Sequence, residues 1–200
     1  MSRRTYTRTF TLPAIALLLA AGIAQAQQPA PATAPAGPIG PQVGDVAPDF
    51  TLPTATKEGL GKKPLRLSDL KGQTVVIAFF PRSRTSGCTA QMENYRDRYA
   101  TIFNDGKGVV VLAVSTDPDT MQMAWAQEKS LPVTFVSDTA GVLGKPYEVL
   151  IERNGAKFYR RVLYVVGPDG KISHVMRPFR ELTDEAYAEL GDAVKKAKGG

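Results

Sequence analysis

The sequence predicts an α/β domain built on a central mixed sheet with helices on both faces. Apolar runs of strand length, without alternation, occur at 74–80 (TVVIAFF), 108–114 (GVVVLAV) and 162–166 (VLYVV). Such runs suit strands buried on both faces. A stretch of helical period separates the first two runs, and a Gly-Pro-Asp-Gly turn at 167–170 separates the third from 172–176. The first pattern implies a right-handed crossover between parallel strands, the second an antiparallel hairpin.

At the N-terminus, Arg3, Arg4 and Arg8 precede a short apolar stretch from Leu12 to Ile23, followed by Ala24-Gln25-Ala26. A basic start, an apolar centre and an A-x-A site form the pattern of a cleaved export signal over 1–26, too short to span a bilayer. Residues 2–8 are also similar to a twin-arginine export signal. Cleavage after Ala26 removes three arginines and no acid from the formal +6, leaving +3. The basic balance therefore gives no reason to expect a nucleic-acid partner or a membrane-bound mature chain. Residues 27–42, rich in Ala, Pro and Gln and without charge, favour extended conformations and read as a tether. The folded domain is expected over 43–200, and at 43% apolar and 22% charged residues the chain suits one core.

Within that domain, Cys88, Met92, Tyr95, Tyr99 and Ile102 recur at steps of four and three, opposite Gln91, Glu93, Asn94, Asp97 and Arg98. This is an amphipathic helix over 88–104. A second helix is expected over 118–129, with Asp117 as N-cap, Pro118 at the first helical position, and Met121 and Trp125 facing the core. A last helix opens at Thr183 with Asp184 and Glu185, and closes on Lys195, Lys196 and Lys198, complementing the helix dipole. The order β-α-β-α-β-β-α fits a thioredoxin-like architecture best.

One cysteine and one histidine exclude several chemistries. A lone thiol forms no internal disulfide, no CxxC redox pair and no iron–sulfur cluster, and with a single histidine the usual structural zinc site is out. No metal and no cofactor are expected. Cys88 follows a buried strand and the loop 81–87 and starts a helix. A free thiol, with a pKa of about 8.5, is only about 3% thiolate at pH 7. Helix N–H groups, with Arg82 and Arg84 near in sequence, favour the ionised form. The competing reading is a small buried hydrophobe. For His174, a solvent-facing strand position outweighs a general base for Cys88.

The segment Pro81-x-x-x-Thr85-x-x-Cys88 resembles the P-x-x-x-T-x-x-C motif of the peroxiredoxins, the alkyl hydroperoxide reductase and thiol-specific antioxidant superfamily. The resemblance extends to 43–52 (VGDVAPDFTL), 67–72 (LSDLKG), 114–117 (VSTD), 131–138 and 169–172 (DGKI), covering roughly 43–176. Thr85-Ser86-Gly87-Cys88-Thr89 is most similar to the bacterioferritin-comigratory, or Q-type, branch. The resemblance implies an antioxidant thiol peroxidase whose Cys88 attacks hydrogen peroxide or an organic hydroperoxide and becomes a sulfenic acid. It implies further that Thr85 steers the peroxide, that Pro81 shields the sulfur, and that a strand arginine faces the thiol. The family pattern falls on Arg161, with Arg160 as its rival, and strand alternation allows only one of them to point at Cys88.

Where many Q-type members carry a resolving cysteine, this chain has Glu93, so it resembles the one-cysteine type. Gln91 stands where the wider family often has Glu, and Ser86 replaces a frequent Pro. An external thiol, or a thioredoxin- or glutaredoxin-like reductant, must then reduce the sulfenic acid. The expected enzyme is periplasmic or extracellular, and a monomer or homodimer. The alternative is a redox sensor passing oxidation to a partner without turnover. Disulfide reductase and thiol metallochaperone functions need a second cysteine, and Thr85 occupies its place.

Overall fold

The computed structural model describes residues 39–199. The expected export signal, and the tether up to residue 38, lie outside them. In chain order the elements are β1 (Thr51–Leu52), β2 (Thr54–Thr56), β3 (Gly59–Leu60), β4 (Leu65–Arg66), β5 (Thr74–Phe79), α1 (Ser86–Asp97), α2 (Tyr99–Phe103), β6 (Val109–Ser115), α3 (Asp119–Lys129), β7 (Thr134–Ser137), β8 (Leu150–Arg153), β9 (Ala156–Tyr159), β10 (Val162–Val166), β11 (Ile172–Met176) and α4 (Asp184–Lys198).

A seven-stranded mixed sheet runs in the order β11-β10-β5-β6-β7-β2-β3. Its centre is parallel, β5 beside β6 and β6 beside β7, while β10 pairs antiparallel with β5, β11 with β10 and β2 with β7. Every residue of β5 is buried, which explains its unbroken apolar run: alternate side chains serve two cores. Val76, Ala78 and Phe80 join Cys88, Tyr95, Trp125 and Leu190 beneath α1 to α4. Val75, Ile77 and Phe79 join Phe50, Leu67, Tyr147 and Tyr159 on the opposite face. Helical segments thus cover both faces unequally: all four α-helices pack on one, and the other has a single 3-10 turn at Leu67–Leu70, with turns and irregular chain. Among the described residues no helix is long and apolar enough to cross a membrane, and no group of three or more His, Cys, Asp or Glu could hold a metal ion.

Several local expectations are corrected. The helix after Cys88 breaks at Arg98, whose ψ of 17° leaves the α region, so α1 and α2 are separate. Gln91, expected on the solvent face, is buried at 1% exposure. It lies three residues after Cys88 and four before Tyr95, hence on their side of the helix. Asp117 does not cap α3; Pro118 takes that position, and the Asp117 carboxylate turns inward. Met121 is 44% exposed, not core, whereas Trp125 is buried. Thr183 stands at the N-cap of α4, but its hydroxyl donates to the Arg180 carbonyl. His174, by contrast, lies on a strand and part-exposed as expected, on β11 and 2.9 Å from a Glu189 carboxylate oxygen.

Beyond the expected elements, β8 and β9 form a hairpin over Asn154-Gly155, both at positive φ as the tight hairpin turn requires. The hairpin is tied to the body by the Arg160 N–H, which donates to the Val149 carbonyl, and by the Thr116 hydroxyl, which donates to the Lys157 carbonyl. It leads directly into the Arg160-Arg161 link that precedes β10.

Candidate active site

The carboxyl end of β5 delivers the chain to the loop 81–85 and then to α1, which starts at Ser86, two residues before the expected start at Cys88, with Thr85 as N-cap in extended geometry. The first intrahelical bond runs from the Thr89 N–H to the Thr85 carbonyl. The N–H groups of Ser86, Gly87 and Cys88 therefore precede the helical ladder and are available to negative charge. Cys88 itself is fully buried between sheet and helix, a free thiol.

Facing it from the link just before β10 is Arg161, whose Nη2 lies 3.4 Å from Cys88 Sγ. Arg160, next in sequence, is exposed and makes no contact with the sulfur. Arg161 is held from two more directions. Its Nη1 donates to Gln91 Oε1, and its Nε pairs with Glu181 Oε2 at 3.1 Å. Gln91 Nε2 in turn donates to the Tyr95 hydroxyl at 2.8 Å. Burial pushes the Tyr95 phenol well above its ordinary pKa, so it stays a neutral partner. The approach of α1 to this cluster is close: a Cβ on Gly87 would stand 2.7 Å from Glu181 Oε1 and 3.3 Å from Arg161 Nη2. A side chain there would displace the carboxylate from the guanidinium.

Of the other motif residues, Pro81 is half-buried and borders an open cleft that Arg161 also lines. The Thr85 hydroxyl donates to the Arg82 carbonyl at 3.1 Å and makes no bond to the sulfur. That engages its proton and leaves its lone pairs to accept one from an incoming peroxide. Arg82 and Arg84, expected to add charge beside the thiol, are drawn elsewhere by acids. Arg82 Nε lies 3.8 Å from Asp117 Oδ1, with the guanidinium over the Phe158 ring, and Arg84 pairs with Glu128 at 2.9 Å. Arg84 has a φ of +64°, a left-handed conformation uncommon for a non-glycine residue.

Asp117 is the anchor of this loop. Its Oδ2 accepts the Ser83 N–H at 2.6 Å and the Ser115 hydroxyl at 3.0 Å. Sequence reasoning passed over Glu181, Gln91 and this role of Asp117. The helical position of Gln91 was a usable signal. Glu181 arrives from the segment after β11, and nothing local in the sequence points to it.

A family model described as the AhpC/TSA family matches residues 43–175. Peroxiredoxin Bcp of Escherichia coli (strain K12) is 32% identical over 143 residues, 70% of this chain and 87% of that protein. The chloroplastic peroxiredoxin Q of Sedum lineare is 33% identical over 132 residues, 66% of this chain and 67% of that protein. Among solved structures, peroxidoxin BcpB from Mycobacterium tuberculosis is 26% identical with a TM-score of 0.66, covering 78% of this chain and 97% of that one. A mutant PrxQ of Xylella fastidiosa, 20% identical, has a TM-score of 0.65 over 78% of this chain and 98% of its own, a likeness of fold.

Proposed function

The chain belongs to the AhpC/TSA family and is a thiol-dependent peroxidase; on that footing we propose that Cys88 carries the reaction without a second thiol of its own chain. The observation that supports this most is the 3.4 Å approach of Arg161 Nη2 to the sulfur of the only cysteine, at the start of α1. A guanidinium and free helix N–H groups at a buried sulfur favour thiolate over thiol. The thiolate attacks the distal peroxide oxygen; an S–O bond forms as the O–O bond breaks, and the alkoxide or hydroxide that leaves takes up a proton. Arg161 and the Cys88 N–H stabilise the charge passing to the leaving oxygen, the largest single contribution to most such steps. Thr85 accepts the peroxide O–H and aligns it, and Pro81, with no N–H to offer water, borders the approach. With Cys88 fully buried, the loop 81–85 or the Arg161 side chain is expected to shift aside as a peroxide enters.

Cys88 is left as a sulfenic acid. A first external thiol attacks its sulfur, releasing water and forming a mixed disulfide; a second thiol releases the Cys88 thiol and an oxidised pair. The curated relatives named peroxiredoxin support turnover over a single-round relay. The export pattern of residues 1–26 supports a periplasmic or extracellular site of action, tested by whether the chain isolated from cells begins at Gln27. The catalytic reading is tested by turnover of hydrogen peroxide with dithiothreitol, and by mass spectrometry after one equivalent of peroxide. We expect one added oxygen on Cys88 and loss of turnover in Cys88→Ser; an undiminished rate in that variant overturns it.

A further inference from the structure

Arginine is a long side chain with much rotamer freedom to lose, and so are the two partners that hold Arg161 at the sulfur, Gln91 and Glu181. Behind these partners stands a cluster of three aromatic rings in the core beneath the helices: Tyr95 of α1, Phe179 between β11 and α4, and Tyr187 of α4. All three are buried, none more than 2% exposed. Phe179 lies edge-on to Tyr187 at 5.3 Å, Tyr187 edge-on to Tyr95 at 6.1 Å, and Phe179 tilted against Tyr95 at 6.2 Å. Such arrangements suit the ring quadrupoles and leave each ring little freedom to turn.

Each of the three residues offers one polar group, and each group meets the surroundings of Arg161 at a different point. The Tyr95 hydroxyl accepts Gln91 Nε2 at 2.8 Å, which leaves Oε1 turned to the guanidinium. The Phe179 N–H donates to the carbonyl of Arg161 itself at 3.0 Å. The Tyr187 hydroxyl donates to the Glu181 carbonyl at 2.8 Å and so fixes the segment from which the Glu181 carboxylate reaches Nε. Burial pushes both phenols well above their ordinary pKa, so the Tyr187 proton stays in its bond at neutral pH. Core packing asks only for rings at 95 and 187, which phenylalanine would supply; the two hydroxyls answer to Gln91 and Glu181. Phe179, Glu181 and Tyr187 all lie beyond residue 175, where the family match ends.

We propose that Tyr95, Phe179 and Tyr187 form an aromatic brace that fixes Arg161 through Gln91, through its own backbone and through Glu181, so that the guanidinium is in place before a peroxide meets Cys88. The three are positioning residues and touch neither the sulfur nor the peroxide. The proposal rests on the peroxidase reading above and assigns the elements that preorganise its charge. Removing one hydroxyl frees one partner of Arg161 and leaves the others, so each loss is partial and runs entirely through Arg161.

The test uses Tyr95→Phe and Tyr187→Phe in the full-length protein, which keep the rings and remove the hydrogen bonds. Each should slow stopped-flow oxidation of Cys88 by hydrogen peroxide about fivefold, the scale of one neutral buried hydrogen bond. The readout that separates positioning from packing is the NMR signal of the Arg161 Nε–H. Its exchange with water should be slow in the wild type and about threefold faster in Tyr187→Phe. In an Arg161→Ala background neither tyrosine variant should slow oxidation further. Unchanged oxidation in both variants overturns the proposal, as do slower oxidation with unchanged Nε–H exchange and losses that persist without Arg161. The two variants approach Arg161 from opposite sides, so if one fails to fold the other decides. Absence of peroxide turnover in the wild type overturns the peroxidase reading, while the Nε–H exchange still decides on the brace.

Discussion

Arg161 Nη2 lies 3.4 Å from Cys88 Sγ across 73 positions of sequence, so the charge that serves the thiol is brought by the sheet and not by the loop that carries the thiol. Arg160 and Arg161 form the two-residue link between β9 and β10, so the expected strand alternation does not apply; the link turns Arg161 inward and leaves Arg160 exposed. Replacing Arg161 by Ala should lower the second-order rate of Cys88 oxidation by about 100-fold, the scale for losing one preorganised donor. Arg161→Lys should recover only part, because an ammonium cannot engage sulfur, Gln91 and Glu181 together as the forked guanidinium does. Stopped-flow oxidation by hydrogen peroxide measures this. The assignment is lost if Arg161→Ala reacts normally and Arg160→Ala does not.

Glu181 acts through Arg161. Its carboxylate is 3.1 Å from Nε, and with Gln91 neutral it is, among the described residues, the one acid paired with that guanidinium. Both side chains are largely buried, at 12% and 21% exposure, so the pair is less screened than a surface one. Glu181→Gln should slow Cys88 oxidation about tenfold by loosening the guanidinium. The discriminating readout is a double-mutant cycle: in an Arg161→Ala background, Glu181→Gln should have almost no further effect. Independent, additive losses would show that Glu181 matters for some other reason.

The difference between Arg161 and Glu181 also marks what the sequence made legible. Strands β5, β6 and β10 were visible because burial on both faces leaves an unbroken apolar run, and Cys88 was visible because a strand, a loop and a helix start converge on it. The β8–β9 hairpin had a readable signal in Asn154-Gly155 between two short strand-like segments. Gln91 was misplaced because a polar amide reads as solvent-facing, although its spacing from Cys88 and Tyr95 puts it inside. Glu181 had no local signature at all; its role exists only where the chain after β11 folds back over the start of α1. Arg82 and Arg84 were overvalued for the converse reason, since Asp117 and Glu128, far away in sequence, claim their charges.

Asp117 fixes the reactive loop from below. Buried at 4% exposure, it accepts the Ser83 N–H and the Ser115 hydroxyl, and its own carbonyl accepts the Ser137 hydroxyl. Both donors meet one oxygen, Oδ2, so Asp117→Ala, which removes it and leaves buried donors unsatisfied, should cost about 1–3 kcal/mol or more. Thermal denaturation should show the loss, and hydrogen exchange at the Ser83 amide should accelerate. Unchanged exchange at Ser83 would mean that other contacts hold the loop.

Asp49 makes acid stability measurable at one identified group. Partial burial alone would raise its pKa, but hydrogen bonds from the Ser68 hydroxyl and N–H, the Phe50 N–H and the Arg66 guanidinium outweigh burial and hold the carboxyl below its ordinary value. Three of these bonds have clear geometry: Phe50 N–H to Oδ1 at 3.0 Å, Ser68 N–H to Oδ1 at 3.0 Å and Arg66 Nε to Oδ2 at 3.2 Å, the last two joining the segment before β1 to β4 and the turn after it. A folded-state pKa below the unfolded one means that the unfolded chain binds the proton more readily. The stabilisation is therefore fully present above the ordinary carboxylate range, near pH 4, and is lost as pH falls through the lower folded value. Asp49→Asn keeps an acceptor for the backbone donors but carries no charge to titrate. Between about pH 6 and about pH 3, a span that brackets that range, the melting temperature of the wild type should fall further than that of the variant. The excess should be roughly 1–3 °C, because the carboxylate is partly solvated and screened. Parallel melting curves for the two proteins across that interval would show that the Asp49 carboxylate contributes nothing to acid sensitivity.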